Sequence, residues 1–120
     1  MVKQADRKVM TVQELNFFYD TKVYIRSLEG ITEDLKRFIS DPGIIEDLSG
    51  KIRKIINRRK AEQKNTAVFL QRLEDPEIKQ IIFYRYEKRL EWSEVNLKVY
   101  DGITCDDYPR IRLYRYLEKT

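Results

Sequence analysis

The sequence has no histidine, a single cysteine and no long uncharged apolar run. Without histidine it lacks the commonest metal ligand and the side chain best suited to proton transfer near neutral pH, so we expect no metal, no cofactor and no catalysis. Cys105 alone cannot form an internal disulfide. A membrane span needs roughly 20 apolar residues, and the N-terminal MVKQADRKVM lacks the apolar core of a signal peptide. We therefore expect a soluble, cytoplasmic protein without membrane contact.

Glycine and proline are also scarce, with four and three residues among 120. This excludes a collagen-like chain and argues against a disordered tail or a turn-rich β-sandwich. What is abundant is a mixture of hydrophobic residues (42%) and charged residues (37%), which is typical of a helical protein with solvated faces. The length suits one folding unit. We predict a single all-α unit over residues 1–120.

The positive charge is concentrated in the middle of the chain. Residues 49–75 contain eight lysines and arginines against three acids, whereas residues 1–48 are slightly acidic and residues 76–120 nearly neutral. A nucleic-acid-binding protein usually carries its charge as such a stripe. A solvated helix face is the alternative for the basic residues, which are candidates for phosphate contacts: Lys51, Arg53, Lys54, Arg58, Arg59 and Lys60.

Residues 11–73 show the pattern of a long helical hairpin. Thr11 and Glu14 form a capping box that predicts a helix start, and the helix is expected to bend or break near Gly30 before a turn at residues 40–43. A second helix follows, and its seam positions are Ile45, Leu48, Ile52, Ile55, Arg59, Glu62, Thr66, Phe69 and Leu73. The centre of this seam is polar. It fits either an antiparallel hairpin with a solvated centre or a helix-mediated homodimer.

Residues 75–120 predict three shorter helices. Asp75 is a plausible N-cap before Pro76, and that helix should reach about Lys88. The next helix is expected to start at Ser93 and to end before Gly102, which can adopt the left-handed conformation. The last helix should begin at residues 106–107, because a proline at position 109 fits only its first turn.

Three consecutive short helices have the layout of a helix-turn-helix, in which the last helix enters the major groove of DNA. The candidate DNA-binding residues lie on the last two helices: Lys98, Tyr108, Arg110, Arg112 and Arg115. A second group is assigned to the structural corner between the first two helices: Arg85, Tyr86, Trp92 and Ser93. Trp92 is expected to be an anchor of the core, because large aromatic side chains bury well where helices turn.

The run LEDPEIKQIIFYRYEKRLEWSEV carries a more specific resemblance. Its Ile81-Ile82, Arg85-Tyr86 and Trp92–Val95 resemble the C-terminal region of small phage late-transcription regulators of the RinA/ArpU type. The DNA-binding part of that family is similar to region four of bacterial sigma factors. The resemblance extends over about residues 25–117 and implies an all-α fold and action on late phage promoters, with double-stranded DNA and host RNA polymerase as partners.

The chain also departs from the pattern of that family. Asn96 stands where alanine is usual, the glycine of the turn is displaced to Gly102, and Pro109 replaces an ordinary helical residue. Asp106 and Asp107 place two acids at the start of the expected recognition helix, where they would repel phosphates. These departures favour an alternative, a helical protein-binding module that inhibits a host or rival protein. A small phage packaging subunit is a second alternative.

Overall fold

A computed structural model of the protein describes residues 10–119. The described part contains six α-helices and no strand, which confirms the predicted all-α class. The helices, in chain order, are α1 (Val12–Phe38), α2 (Pro42–Glu62), α3 (Lys64–Arg72), α4 (Pro76–Ile82), α5 (Trp92–Tyr100) and α6 (Tyr108–Glu118). A single π-helical segment (Phe83–Glu87) continues α4.

The first helix begins as the sequence predicts. Thr11 Oγ1 accepts a hydrogen bond from the Glu14 N–H (3.1 Å), and the Glu14 carboxylate accepts one from the Thr11 N–H (3.1 Å). Of the bend or break expected near Gly30, the break is wrong, because α1 runs unbroken to Phe38. One glycine costs roughly 1 kcal/mol relative to alanine in a helix interior, which a helix of 27 residues tolerates.

A three-residue link joins α1 to α2, so the two helices pack against each other as an antiparallel hairpin. The expected turn at residues 40–43 is shorter than predicted. Asp41 is the N-cap of α2, with Oδ1 accepting a hydrogen bond from the Gly43 N–H (2.8 Å), and Pro42 occupies the first helical position. Proline is well tolerated there because its missing N–H would have no partner in the helix.

The second arm is two helices rather than one. The helical path breaks at Gln63, whose backbone (φ −104°, ψ 11°) separates α2 from α3. The prediction of a solvated polar centre is wrong at Thr66, which is buried, and Gln63 beside it is buried as well. Arg59 is partly covered, with its guanidinium 5.6 Å from the centre of the Tyr24 ring. Close packing of α3 on α1 explains this burial.

Helices α4, α5 and α6 pack on one another and hold most of the core. Asp75 caps α4 as predicted, because its Oδ1 accepts hydrogen bonds from the N–H groups of Glu77 (3.0 Å) and Ile78 (3.1 Å). The N-terminal end of α1 docks on these helices and completes the core. The buried core residues are Met10, Leu15, Leu73, Ile78, Ile81, Ile82, Tyr86, Val95, Leu113 and Leu117.

The links around α5 differ in detail from the predictions. Ser93 is exposed and is not the N-cap; α5 starts at Trp92, and the Glu91 N–H donates to the Glu94 carboxylate (3.2 Å). The end of α5 agrees better with expectation. Asp101 (φ 53°) and Gly102 (φ 75°) both adopt the left-handed conformation that stops a helix.

Candidate nucleic-acid interface

The outer face of α6 is the surface that a helix-turn-helix would present to DNA. Tyr108, Ile111 and Arg115 are three and four residues apart, so they share one face of the helix, opposite to the buried Leu113 and Leu117. Arg115 is exposed, whereas Tyr108 and Ile111 are half-buried. No hydrogen bond or ion pair within residues 10–119 involves the Arg115 side chain. The Arg115 guanidinium is therefore available to a ligand.

Arg112, in contrast, is held inside the fold. Its Nη2 lies 3.0 Å from Asp75 Oδ2 and 3.4 Å from Glu77 Oε1, and its side chain is 27% exposed. The Tyr100 hydroxyl donates to the other oxygen of Glu77, so this cluster joins α4, α5 and α6. A hydrogen bond from the Ile78 N–H, with Arg112 beside it, holds the pKa of Asp75 below its ordinary value. Contact of Arg112 with DNA would break two ion pairs.

Arg110 lies at the start of α6, beside the N-cap. Its Nη2 is 3.2 Å from Asp107 Oδ2, and its guanidinium lies 5.5 Å from the centre of the Tyr114 ring. The Asp107 side chain caps no backbone N–H of α6. The sequence thus correctly placed Asp107 at the helix start, but its carboxylate neutralises an arginine instead. Because this pair is largely exposed, a phosphate can compete for Arg110.

The turn between α5 and α6 is fastened by Asn96, a residue that the sequence marked only as a departure. Its side chain is buried, with Nδ2 donating to the Thr104 carbonyl (3.0 Å) and Oδ1 accepting from the Thr104 hydroxyl. An alanine would leave this carbonyl without that donor. Asn96 therefore fixes the position, relative to α5, of the segment that leads into α6.

The structural corner brings together three of its four predicted residues. The Arg85 guanidinium donates to the Leu90 carbonyl (2.9 Å) and lies 4.6 Å from the centre of the Trp92 ring, while Tyr86 is buried in the core. Burial raises the pKa of Tyr86 to about 12, so its hydroxyl stays neutral. Ser93 is exposed and makes no part of this contact. The corner serves packing, as expected for Trp92.

Three ionic contacts dock the hairpin on the corner. Glu87 lies 3.1 Å from Lys22 Nζ and 3.5 Å from Arg26 Nη2, and the hydrogen bond from Lys22 is the main reason that the pKa of Glu87 is lowered. Arg89, which has a left-handed backbone (φ 63°), reaches Asp20 at 2.9 Å. The orientation of α1 relative to α4 is therefore held by charge as well as by the core.

The basic residues of α2 do not form a single face. Residues two positions apart on a helix point roughly 160° apart, so Arg53 and Lys60 project to one side and Lys54 and Arg58 to the other. Arg59 points towards α1 and pairs with Glu62 (3.6 Å). Lys51 pairs with Asp47 (3.4 Å). The six predicted phosphate contacts are thus divided between two sides of the hairpin.

The surface at the α5–α6 turn is both acidic and apolar. Leu97 and Ile103 are 61% and 83% exposed, and Asp101, Asp106 and Asp107 are exposed beside them in the chain. Lys98 is the exposed cation of α5 in this region. Cys105 is an exposed free thiol. Three acids and two large apolar side chains therefore lie next to the expected DNA-reading face.

The described residues offer no group of three or more acidic or cysteine side chains that could hold a metal ion. None of the helices in residues 10–119 is long and apolar enough to cross a membrane. Searches among protein-family models, curated proteins and solved structures gave no match to this chain.

Proposed function

We propose that the protein is a double-stranded DNA-binding transcriptional regulator of the phage type, and that α6 is its recognition helix. The observation that carries this proposal is the placement of α6, which is braced from behind by α4 and α5 while the exposed and unpaired Arg115 lies on its outer face. Tyr108 and Ile111 on the same face are half-buried, and the Tyr108 ring packs edge-on against Tyr100. This arrangement matches the roles of the helices in a helix-turn-helix. The resemblance of Ile81–Val95 to the RinA/ArpU-type regulators supports the same assignment.

Each basic residue takes a distinct role in this proposal. Arg115 is the best candidate for a base contact, because a free guanidinium can bind the two acceptors of guanine at once. Lys98 and Arg110 flank it and contact phosphates, Arg110 after exchanging Asp107 for a phosphate oxygen. Arg112 positions α6 through its two carboxylate partners rather than touching DNA.

The proposal is tested by selecting bound fragments from random duplex DNA and measuring their affinity at several salt concentrations. We expect a recovered sequence motif and an affinity that falls steeply with salt, because bound lysines and arginines release counterions from phosphates. Replacing Arg115 with alanine should reduce affinity for the selected site by roughly 5- to 150-fold, the equivalent of about 1–3 kcal/mol. Arg72, exposed on α3, provides the matched control, and Arg72→Ala should bind as the wild type does. Absence of both a motif and salt-dependent binding would refute the proposal.

A second candidate function is protein binding through the α5–α6 turn. It is favoured by the exposure of Leu97 and Ile103 beside three acids, a surface that repels phosphates and suits an apolar pocket with basic surroundings. The resemblance implies host RNA polymerase as one such partner. A stoichiometric complex that survives nuclease treatment and is lost in Leu97→Ser/Ile103→Ser would support this function. Retention of the complex in that variant would exclude this surface.

A further inference from the structure

Helix α1 carries a stripe of large apolar side chains that the fold leaves only partly covered. Phe17, Tyr24, Ile31 and Phe38 are 50%, 43%, 43% and 75% exposed and follow one another at intervals of seven residues. Seven residues are just under two helical turns, so these side chains form one line roughly 30 Å long. Single exposed apolar residues are common in soluble proteins, but a continuous line of four marks a contact surface.

The stripe lies on one side of the hairpin, away from a cavity between its two arms. That cavity, of about 440 Å³, is lined by Lys22 and Arg26 of α1 and by Lys60 of the second arm. Tyr24 is two positions from Lys22 and from Arg26, and Arg58 is two positions from Lys60, so both point to the opposite side. We call this side the stripe face: the α1 stripe and the residues of α2 that lie next to it.

Helix α2 is also incompletely covered. None of its 21 residues is fully buried, although it carries apolar side chains along its length. Ile44, near the tip of the hairpin, is 48% exposed, and the half-buried members are Ile45, Leu48, Ile52, Ile55 and Ile56. The molecule measures 58 × 43 × 19 Å, so the hairpin is a single layer of helices. A single layer can shield only the sides along which its helices touch.

We propose that a second copy of this chain packs on the stripe face, so that two hairpins form a four-helix bundle. A line with a seven-residue repeat fits another helix that packs with a slight left-handed supercoil, which identifies the occupant as helical. A second copy presents the same line, and a twofold axis lets each face bury the other. The stripe face of each hairpin is then covered by the stripe face of its partner, as helices cover one another in a four-helix bundle.

The charges on the stripe face favour this occupant and fix its orientation. Asp20 and Asp34 lie beside the stripe on α1, two seven-residue intervals apart, and Asp20 already pairs with Arg89 (2.9 Å). The α2 part of the face carries Lys51, Lys54 and Arg58 against one acid, Asp47, which pairs with Lys51 (3.4 Å). A twofold axis parallel to the helices places α1 of each copy over α2 of the other, so the acidic edge of one stripe face meets the more basic edge of the other. Packing α2 on α2 would set like charges together.

The test is the mass of the full chain by sedimentation equilibrium over a range of concentrations. We expect a reversible dimer for the wild type, and a dissociation constant at least 100-fold weaker for Ile31→Glu/Phe38→Glu, which places charges on the stripe. Ile103→Glu, at the more exposed apolar residue of the α5–α6 turn, is the matched control and should dimerise normally. Circular dichroism of each variant verifies that its helices are intact.

A milder pair of variants tests the orientation without adding charge to an apolar site. Asp34→Lys should weaken the dimer about 10-fold, and adding Lys51→Asp/Lys54→Asp should restore most of the loss. A wild-type monomer, a larger ring, or a dimer unaffected by Ile31→Glu/Phe38→Glu would overturn the proposal. The dimer does not depend on DNA binding, and it leaves Arg53 and Lys60 on the outer side of each hairpin.

Discussion

Replacement of Arg112 by alanine should destabilise the fold, although the sequence predicts this residue as a DNA contact. The guanidinium bridges Asp75 (3.0 Å) and Glu77 (3.4 Å), and it joins α6 to the first turn of α4. These two carboxylates are 37 and 35 residues away in the chain, so the bridge fastens distant segments. Its loss leaves two partly covered carboxylates without their cation.

The magnitude follows from the exposure of the three side chains. The side chains of Arg112, Asp75 and Glu77 are 27%, 28% and 35% exposed. Their exposure is therefore intermediate between that of a surface ion pair and that of a buried one. Exposed pairs contribute about 0.2–1 kcal/mol, and hydrogen bonds to charged groups about 1.5–3 kcal/mol. We therefore expect Arg112→Ala to lower the free energy of unfolding by about 1–2 kcal/mol, equivalent to a fall of roughly 3–10 °C in Tm.

The effect should also depend on pH. The Ile78 N–H and Arg112 hold the pKa of Asp75 below its ordinary value, so this carboxylate stabilises the fold fully above its unfolded-state pKa of about 3.9. That contribution is lost as the pH falls through the lowered pKa of the folded state. Arg112 stays charged throughout. The difference between wild type and Arg112→Ala should therefore be largest at neutral pH and should shrink in acid.

Urea denaturation at pH 7 and at about pH 3, at equal ionic strength, measures both effects. Arg115→Ala is the matched control, because Arg115 is exposed on the same helix and has no partner within residues 10–119. It should leave the urea midpoint unchanged. A stabilising role for the Arg112 bridge is refuted if Arg112→Ala unfolds at the wild-type midpoint at pH 7, or if its loss of stability is as large in acid as at neutral pH.

Three further substitutions test the links between helices. Asn96→Ala should cost about 1–3 kcal/mol in urea denaturation, because it leaves the Thr104 carbonyl without its side-chain donor; a loss under 0.5 kcal/mol would argue against the clamp. Gly102→Ala should cost about 1–2 kcal/mol, since its φ is 75° and the new Cβ would lie 3.1 Å from Leu97 Cδ2. Gly30→Ala should instead raise the melting temperature by stabilising α1 about 0.5–1 kcal/mol, because nothing lies within 4 Å of the added Cβ. If Gly102→Ala and Gly30→Ala changed the free energy of unfolding in the same direction, these conformational explanations would be contradicted.

The parts of the fold that sequence reasoning predicted correctly are those specified by neighbouring residues. The capping box of Thr11 and Glu14 and the cap of α4 at Asp75 each act within three residues, so their patterns are readable without tertiary contacts. The helical hairpin follows from its apolar spacing and its short link. Pro109 placed the start of α6 correctly, because proline tolerates only the first turn.

The parts that were missed depend on contacts between distant residues. The break at Gln63 comes where α3 must pack on α1, and the burial of Thr66 beside Met10 spans 56 residues. The cluster around Arg112 likewise needs α4 and α6 to be assembled. One local signal was available: Asn96 at a position where helices approach closely, a polar residue that must find partners if it is buried. Arg112 offered no such signal.

The distribution of the core leads to a final prediction about local stability. Nearly all buried apolar residues lie in α4–α6 or at the end of α1 that docks on them, whereas the hairpin arm beyond Thr21 contributes only Leu28. Amide hydrogens with little buried apolar cover exchange through local opening, so α2 should exchange faster than α4 by hydrogen-exchange mass spectrometry. If the stripe face is covered by a second copy, protection of α2 should rise with protein concentration in the wild type but not in Ile31→Glu/Phe38→Glu. Protection of α2 equal to that of α4 in this variant would show that a single hairpin is stable alone and does not need a second copy to cover its stripe face.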